Sequence, residues 1–388
     1  MWDTPALYIV LTENKTRNRN AQYTKDDVLS VSGDFGVTNQ IELLGRSFAG
    51  VSVADYHEVK HGDVVYTKSP LKANPYGIIK QNKQVSGIVS TLYAVYTPVD
   101  YETGTYLDYY FSNDSFVNNY LRPLVRKGTK NDMKINNEDA LQGEIILPPQ
   151  EERHGIVKIL ECCDEVIRLK KALIAEKKKQ KKALMQKLLD PDSGFRLPGF
   201  SKQWRLTTLG TCVKVGNQKI LPSDCDVLCK CIELEHIESE NGRLLGYTTP
   251  ERLQSLKTVF HAGNILFGKL RPYLRKIVLA SFDGICCSEC WVLICTSCVY
   301  PAYLHARLFM DDFILAANAT SGTKMPRADW HYLKDFRIKI PELKEQQAIA
   351  DILTAADQEI DLLEQELAQQ EKKKKSLMQL LLTGIVRV

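Results

Sequence analysis

Two charged segments of this 388-residue chain, Glu152–Leu189 and Glu345–Leu382, repeat one another at an offset of 193 residues, and 16 of their 38 positions are identical without a gap. The identities include Ile156/Ile349, Ile159/Ile352, Leu160/Leu353, Asp164/Asp357 and Ile167/Ile360, and Leu184-Met185-Gln186 returns as Leu377-Met378-Gln379. A period this long describes no solenoid unit. It describes a domain followed by a helix, used twice. Fainter echoes precede the two segments. His61-Gly62-Asp63-Val64-Val65-Tyr66-Thr67-Lys68 parallels Ala262-Gly263-Asn264-Ile265-Leu266-Phe267-Gly268-Lys269, Gly87-Ile88 parallels Gly284-Ile285, and Gly128-Thr129-Lys130 parallels Gly322-Thr323-Lys324. The expected order is a globular unit over 1–147, a helix over 148–192, a second unit over 193–340 and a second helix over 341–388. Asp190-Pro191-Asp192-Ser193-Gly194 supplies the break after the first helix.

The repeated segments carry apolar residues at heptad spacing. The first has Ile156, Leu160, Ile167, Ile174, Leu184 and Leu188. The second has Ile349, Leu353, Ile360, Leu363, Leu367, Leu377 and Leu381. Neither contains proline, and a stripe sustained over five heptads predicts a coiled coil with these residues at its interface. Charge sets the orientation. Residues 151–168 carry five acids and three bases, residues 169–189 one acid and eight bases, and the second segment repeats the same polarity. An antiparallel pair sets each lysine-rich half against an acidic half and suits the helix dipoles. About 40 residues at ~1.5 Å each make a helix roughly 60 Å long.

Both globular units read as mixed α and β. Asp63–Tyr66, Gly87–Tyr96, Asn264–Phe267 and Trp291–Ile294 are short runs rich in β-branched or aromatic residues, and Tyr106–Arg122 and Tyr303–Ala317 read as helices. The fold class is therefore α+β, with two α/β units in tandem and two long helices forming an antiparallel coiled coil. With 44% apolar and 25% charged residues, the chain has the composition of a folded soluble protein. No apolar run approaches ~20 residues, and the first residues lack a basic, apolar, small-residue leader pattern, so neither a membrane span nor secretion is expected. Of eleven cysteines none precedes Cys162 and nine fall between Cys212 and Cys298, which is no disulfide framework and fits a reducing cytoplasm.

The net charge of only +4 leaves nucleic-acid binding to local clusters. The first unit has Lys15, Arg17 and Arg19 among Asn14, Asn18 and Asn20, then Lys68, Ser69 and Lys72, then Thr129 and Lys130. The second has Lys219 beside Asn217 and Gln218, then Lys269, Arg271, Tyr273, Arg275 and Lys276, then Thr323, Lys324 and Arg327. Such side chains on loops neutralise phosphates and read base edges, and their recurrence at matching places in both units favours that use.

Other constellations are weaker. Gly263 to Lys269 has the spacing of a phosphate-binding loop, but Leu270 stands where the hydroxyl that holds magnesium belongs. Cys287-x-x-Cys290 and Cys295-x-x-Cys298 suggest zinc, but only four residues separate the pairs, and buried strand thiols fit better. Asn74-Pro75-Tyr76 lacks the second proline of the adenine-methyltransferase tetrapeptide, and no glycine-rich cofactor loop lies near it. No catalytic residues, bound cofactor or metal are expected.

The arrangement resembles the specificity subunit of type I restriction–modification systems. The resemblance is carried by the two repeated helices, introduced by Leu147-Pro148-Pro149-Gln150-Glu151-Glu152 and Ile340-Pro341-Glu342-Leu343-Lys344-Glu345-Gln346, each ending in lysine-rich sequence and Leu-Met-Gln. Leu197-Pro198-Gly199-Phe200 with Trp204, and Gly263 through Pro272, add to it; the first unit shows no match to the Pro-Gly-Phe…Trp stretch. The resemblance implies two target-recognition domains, each reading one half of a bipartite site in double-stranded DNA, with the coiled coil setting the gap. It implies two modification subunits docked on this chain and holding S-adenosylmethionine, and restriction subunits using ATP and magnesium. This chain would not be an enzyme. A related split system of type IIB character, a coiled-coil scaffold that binds only protein, and a zinc enzyme built on Cys287–Cys298 are the competing readings.

Overall fold

The computed structural model describes residues 2–127, 133–226, 228–319 and 326–388. Contacts divide the chain into two compact units, Met1–Leu169 with Leu367–Val388, and Lys170–Glu366.

In the first unit an antiparallel sheet has the order β1 (Leu11–Glu13), β8 (Tyr93–Pro98), β5 (Val64–Thr67), β6 (Ile78–Gln81). A hairpin of β2 (Leu29–Ser32) and β3 (Gly36–Asn39) leads into α1 (Gln40–Leu44). β4 (His57–Val59) pairs with β7 (Gly87–Val89), bridges add Arg17 beside His57 and Val28 beside Ile88, and β9 (Arg126–Lys127) pairs with β10 (Met133–Lys134). The expected strand over Gly87–Tyr96 is thus two strands, because Tyr93 N turns back to Ser90 O at 3.1 Å. The expected helix over Tyr106–Arg122 is also two, α2 (Tyr101–Phe111) and α3 (Asp114–Leu121). Asp100 caps the first and Asn113 the second, each accepting from backbone amides one turn in, so a short polar side chain ends one helix and starts the next. α4 spans Gln150–Leu189.

The second unit repeats the order of the main strands, and among the described residues it has no counterpart of the β2–β3 and β9–β10 hairpins. β11 (Arg205–Thr208) pairs with β20 (Arg337–Ile340) as Asp3 and Ala6 pair with Leu147 and Glu144. After α5 (Leu209–Cys212), β12 (Val213–Val215), β19 (Cys290–Cys295), β16 (Ile265–Gly268) and β17 (Ile277–Leu279) form a sheet ordered like β1-β8-β5-β6. β13 (Lys219–Ile220), β15 (Lys257–Phe260), β18 (Gly284–Cys286) and β14 (Cys231–Ile232) form the other, where β4 and β7 with their two bridges stand in the first. α6 (Pro301–Arg307), α7 (Asp311–Asn318) and α8 (Trp330–Leu333) precede α9 (Leu343–Leu382).

The faint sequence echoes have physical causes here. Gly62 and Gly263 both take positive φ, 93° and 86°, in the turn before the central strand. Asp63 and Asn264 fix that turn by accepting from the amides of Lys60 and His261 at 2.8 and 2.9 Å. Gly87 and Gly284 are needed for close approach instead. A Cβ there would lie 2.5 Å from the carbonyl oxygens of Asp27 and Lys230, where a parallel neighbour passes.

The long helices pair antiparallel within each unit. In the second, Lys170 meets Glu366 and Lys177 meets Glu359, at 2.6 and 2.5 Å, and Lys181 meets Asp357. In the first, Lys374 meets Asp164, whose other oxygen accepts from the Tyr109 hydroxyl at 2.7 Å. The 193-residue offset exchanges these partners, Asp164 for Asp357 and Lys374 for Lys181. Of the heptad residues, Ile156, Leu160, Ile174, Leu188, Ile349, Leu353, Ile360 and Leu381 are buried, and Ile167, Leu184, Leu363, Leu367 and Leu377 are half-buried. Ile156, Leu160 and Leu381 join the first core, and Leu188, Ile349 and Leu353 the second.

A second repeated device clamps the helix starts. Trp2 Nε1 donates to Glu152 at 3.2 Å, and Arg387 pairs with Glu152 while its guanidinium lies 5.2 Å from the Trp2 ring centre. In the second unit Arg196 holds Glu345 in a two-pronged pair at 2.8 and 2.6 Å and stands 5.9 Å from the Trp204 ring. Trp2 and Trp204 thus stand beside equivalent arginine–glutamate pairs, with the difference that Trp2 Nε1 donates to its glutamate whereas the buried Trp204 Nε1 has no partner among the described residues. Arg387, beyond α9, takes the place of Arg196, beyond α4.

Two outcomes are expected for stability. Gly87→Ala and Gly284→Ala should each lower the urea-unfolding free energy of their unit by about 1–3 kcal/mol, since backbone must move to admit the methyl group. Gly33→Ala, in open space, should stay within about 0.5 kcal/mol. Glu345 is only 1% exposed, so Glu345→Ala removes a two-pronged charge-assisted pair and leaves Arg196 partly solvated, and it should cost about 1.5–3 kcal/mol in the same measurement.

Candidate nucleic-acid interface

The topology sets basic residues from separated segments at equivalent places in both units. Arg17 bridges His57 as Lys219 pairs with Thr258, and Lys68 and Lys269 each come directly after the central strand, β5 or β16. Arg17 with Lys68, and Lys219 with Lys269, thus occupy equivalent places. Thr129, Lys130, Thr323 and Lys324 lie outside the described residues. Farther along, the chain returns to the same loops in both units: Leu270 bridges Arg327 and Ala328 N donates to Lys269 O at 2.9 Å, while Lys68 Nζ donates to Asn137.

The side chains divide by what they already bind. In the first unit Lys15 pairs with Glu138 and Glu13, at 2.9 and 3.5 Å, and hydrogen bonding to Glu138 raises its pKa. Lys68 is half-buried, and burial lowers its pKa. Asn137 carries the chain of contacts on, donating to Glu13 at 2.7 Å. These groups line a polar cleft of about 400 Å³. Exposed pairs of this kind are weak and screened by salt, so a phosphate can displace the carboxylates. Arg17 donates to Asp55 O at 2.9 Å, and Arg19, Ser69 and Lys72 are exposed. Asn18 is not available for reading: it is buried and ties Tyr23 and Val53 together through their carbonyls.

In the second unit Lys219 reaches Thr258 Oγ1 at 2.7 Å. Lys276 is turned inward and donates to Leu234 O at 2.6 Å, which removes it from a solvent-facing role. Among the described residues Lys269, Arg271 and Tyr273 give no side-chain hydrogen bond to the protein, and the Tyr273 ring is 46% exposed. Lys230 escaped the sequence reading. Its ammonium sits between the rings of Phe282 and Tyr247, 4.5 and 5.0 Å from their centres. Three segments must meet to make that contact, and no spacing announces it.

Local structure bears on the other motifs. Gly263 to Lys269 is a turn followed by the buried strand β16, and the amides of Gly263, Gly268 and Lys269 donate to Ala280, Lys276 and Glu289 carbonyls, leaving no cradle for phosphate. Cys287 and Cys290 have sulfurs 3.7 Å apart, whereas Cys298 lies by Cys212. Among the described residues no three His, Cys, Asp or Glu side chains are grouped to hold a metal ion, and no helix is long and apolar enough to cross a membrane. Asn74 is buried and donates to Asp114 at 2.9 Å.

Comparison with known proteins bears on the family and the fold. A family profile described as type I restriction modification DNA specificity domain matches residues 254–372. The Escherichia coli type I restriction enzyme EcoDI specificity subunit is 33% identical over 117 residues, 29% of this chain and 26% of the relative. The MjaVIII specificity subunit of Methanocaldococcus jannaschii is 28% identical over 268 residues, 63% of this chain and 62% of the relative. The matched stretches thus span less than two thirds of those relatives. The fold is that of the S subunit of a type I restriction-modification system from M. genitalium, with a TM-score of 0.58 at 13% identity, covering 98% of this chain and 96% of that one. A chain from a structure of type I R-M complex assembly gives 0.56 at 19% identity over the same shares.

His57 offers a measurement inside this interface. It is buried, and burial, then the charge of Arg17, lowers its pKa from 6.5 to about 4. Between those values the unfolded chain binds a proton that the folded chain refuses. The stability this group contributes is complete above pH 6.5 and is lost as pH falls toward 4. The loss should reach about 3 kcal/mol. His57→Thr, which installs the residue type of its counterpart Thr258, should remove that part of the slope in urea titrations at pH 7, 6 and 5.

Proposed function

We propose that this chain, which is similar over part of its length to type I restriction–modification specificity subunits, is the DNA-recognition subunit of such a complex. The observation that carries this reading is the duplication. Two units of one topology set Arg17 and Lys68, and Lys219 and Lys269, at equivalent places, and a protein so built reads two half-sites and not one. The basic side chains hold the phosphates, and polar neighbours choose the bases. The paired helices set the spacing of the half-sites and dock two modification subunits. Restriction subunits complete the assembly in the cytoplasm.

The chain itself carries out no chemistry in this reading. Methyl transfer from S-adenosylmethionine to a flipped adenine belongs to the modification subunits, and ATP- and magnesium-dependent cleavage to the restriction subunits. Lys15, Arg17, Arg19, Lys68, Ser69, Lys72, Thr129 and Lys130 are the DNA-facing set of the first unit. Lys219, Lys269, Arg271, Tyr273, Thr323 and Lys324 are that of the second.

The test is single-molecule methylome sequencing of a host carrying this chain and its modification subunit, against deletion of this chain. Loss of N6-methyladenine from one bipartite motif is expected, and exchanging residues 1–147 for those of a relative should change one half of the motif only. An unchanged methylome in an active strain would overturn the reading.

A further inference from the structure

Among the described residues four that are not glycine take positive φ, and three of them, Glu240, Arg271 and Arg275, meet in one loop. L side chains rarely adopt this conformation, and it persists only where surrounding contacts over-determine it. Here they do. Arg271 N donates to Pro326 O, Leu274 N to Arg271 O, Arg275 N to Pro272 O and Glu240 N to Leu274 O, all between 2.8 and 3.1 Å. The Arg275 guanidinium locks the loop from behind. It donates to Phe309 O at 2.6 Å and pairs with Asp311 at 2.5 Å and Glu240 at 3.4 Å.

The two arginines bracketing the turn Pro272–Leu274 therefore differ sharply. Arg275 spends its donors inward, whereas Arg271, with Tyr273 beside it, is exposed and spends none on the described protein. The equivalent connection of the first unit has no arginine pair: Lys68 is followed by Ser69 and Pro70, no residue from 68 to 76 has positive φ, and the left-handed position before β6 is taken by Gly77, at 94°. Strain held by one half-buried cation that is tied to the protein, while another is presented to solvent, is the arrangement of a preorganised contact.

We propose that Arg271 determines specificity for the half-site read by the second unit, and that Arg275, with Glu240, is a positioning residue that fixes the loop without touching DNA. The proposal rests on the recognition-subunit reading and adds to it a division of labour between two neighbouring arginines. A planar guanidinium on a fixed backbone suits bidentate recognition of a guanine edge, which a mobile lysine serves poorly.

The test uses the full chain assembled with its modification subunit, and a duplex bearing the motif that its methylome reveals. Arg271→Gly keeps the left-handed backbone and removes the guanidinium. It should weaken binding about tenfold, lower the salt slope by about one, and relax one or more positions of the second half-site only. Arg275→Ala, and equally Arg275→Lys, should relax the same positions, and the double variant should lose no more than Arg271→Gly alone. Unchanged selectivity of the first half-site, with an unchanged thermal transition, separates this from misfolding. Wild-type second-half selectivity in Arg271→Gly overturns the proposal, as do additive losses or equal losses at both half-sites. If the wild-type complex shows no sequence preference at all, the recognition-subunit reading fails first and the proposal falls with it.

Discussion

Each unit depends on the burial of the ends of two antiparallel helices in its own core. Ile156, Leu160 and Leu381 are at most 2% exposed in the first unit, and Leu188, Ile349 and Leu353 at most 3% in the second. At about 1.5–3 kcal/mol for each fully buried side chain, this apolar contact outweighs the ion pairs along the helices, each worth about 0–1 kcal/mol. The ion pairs decide something else. With acids in one half of each helix and lysines in the other, only the antiparallel pairing sets unlike charges together, so charge chooses direction while leucine and isoleucine supply adhesion.

The sheets hang from this anchor. The helix start is clamped to the first strand segment by Glu152 between Trp2 and Arg387, and again by Glu345 beside Arg196 and Trp204. From there the chain enters two small sheets whose strand order is the same in both units. Gly87 and Gly284 permit a third strand to pass close to the backbone, and that strand fixes the end of the sheet where the basic loops emerge. Side chains at that end are free to differ, and they do: His57 faces Arg17 where Thr258 accepts from Lys219. One scaffold with two different sets of tips is what two unlike half-sites require.

Much of this was legible in the residues. The long helices were announced by heptad spacing and the absence of proline, because helical periodicity is a local property. The turn at Gly62 and Gly263 was visible as an echo for the same reason. Tyr106–Arg122 and Gly87–Tyr96 look like single elements in the sequence, since apolar pattern shows what an element buries and not where Asn113 caps a helix or Ser90 reverses a strand. The basic clusters were found, but their use was mixed. Lys276 and Asn18 bond inward, and Lys230 lies between two rings that are distant in sequence.

The duplication, the long helices, their antiparallel direction and the approximate places of the loops follow from the residues alone, because periodicity, charge polarity and turn residues act over a few neighbours. The folded chain is needed to see that Trp2 and Trp204 stand beside counterpart arginines, Arg387 and Arg196, and that Arg275 is spent on protein groups while its neighbour Arg271 faces out. Those assignments depend on which carbonyls and carboxylates come within about 3 Å of a guanidinium, and residues up to 235 positions apart along the chain settle that.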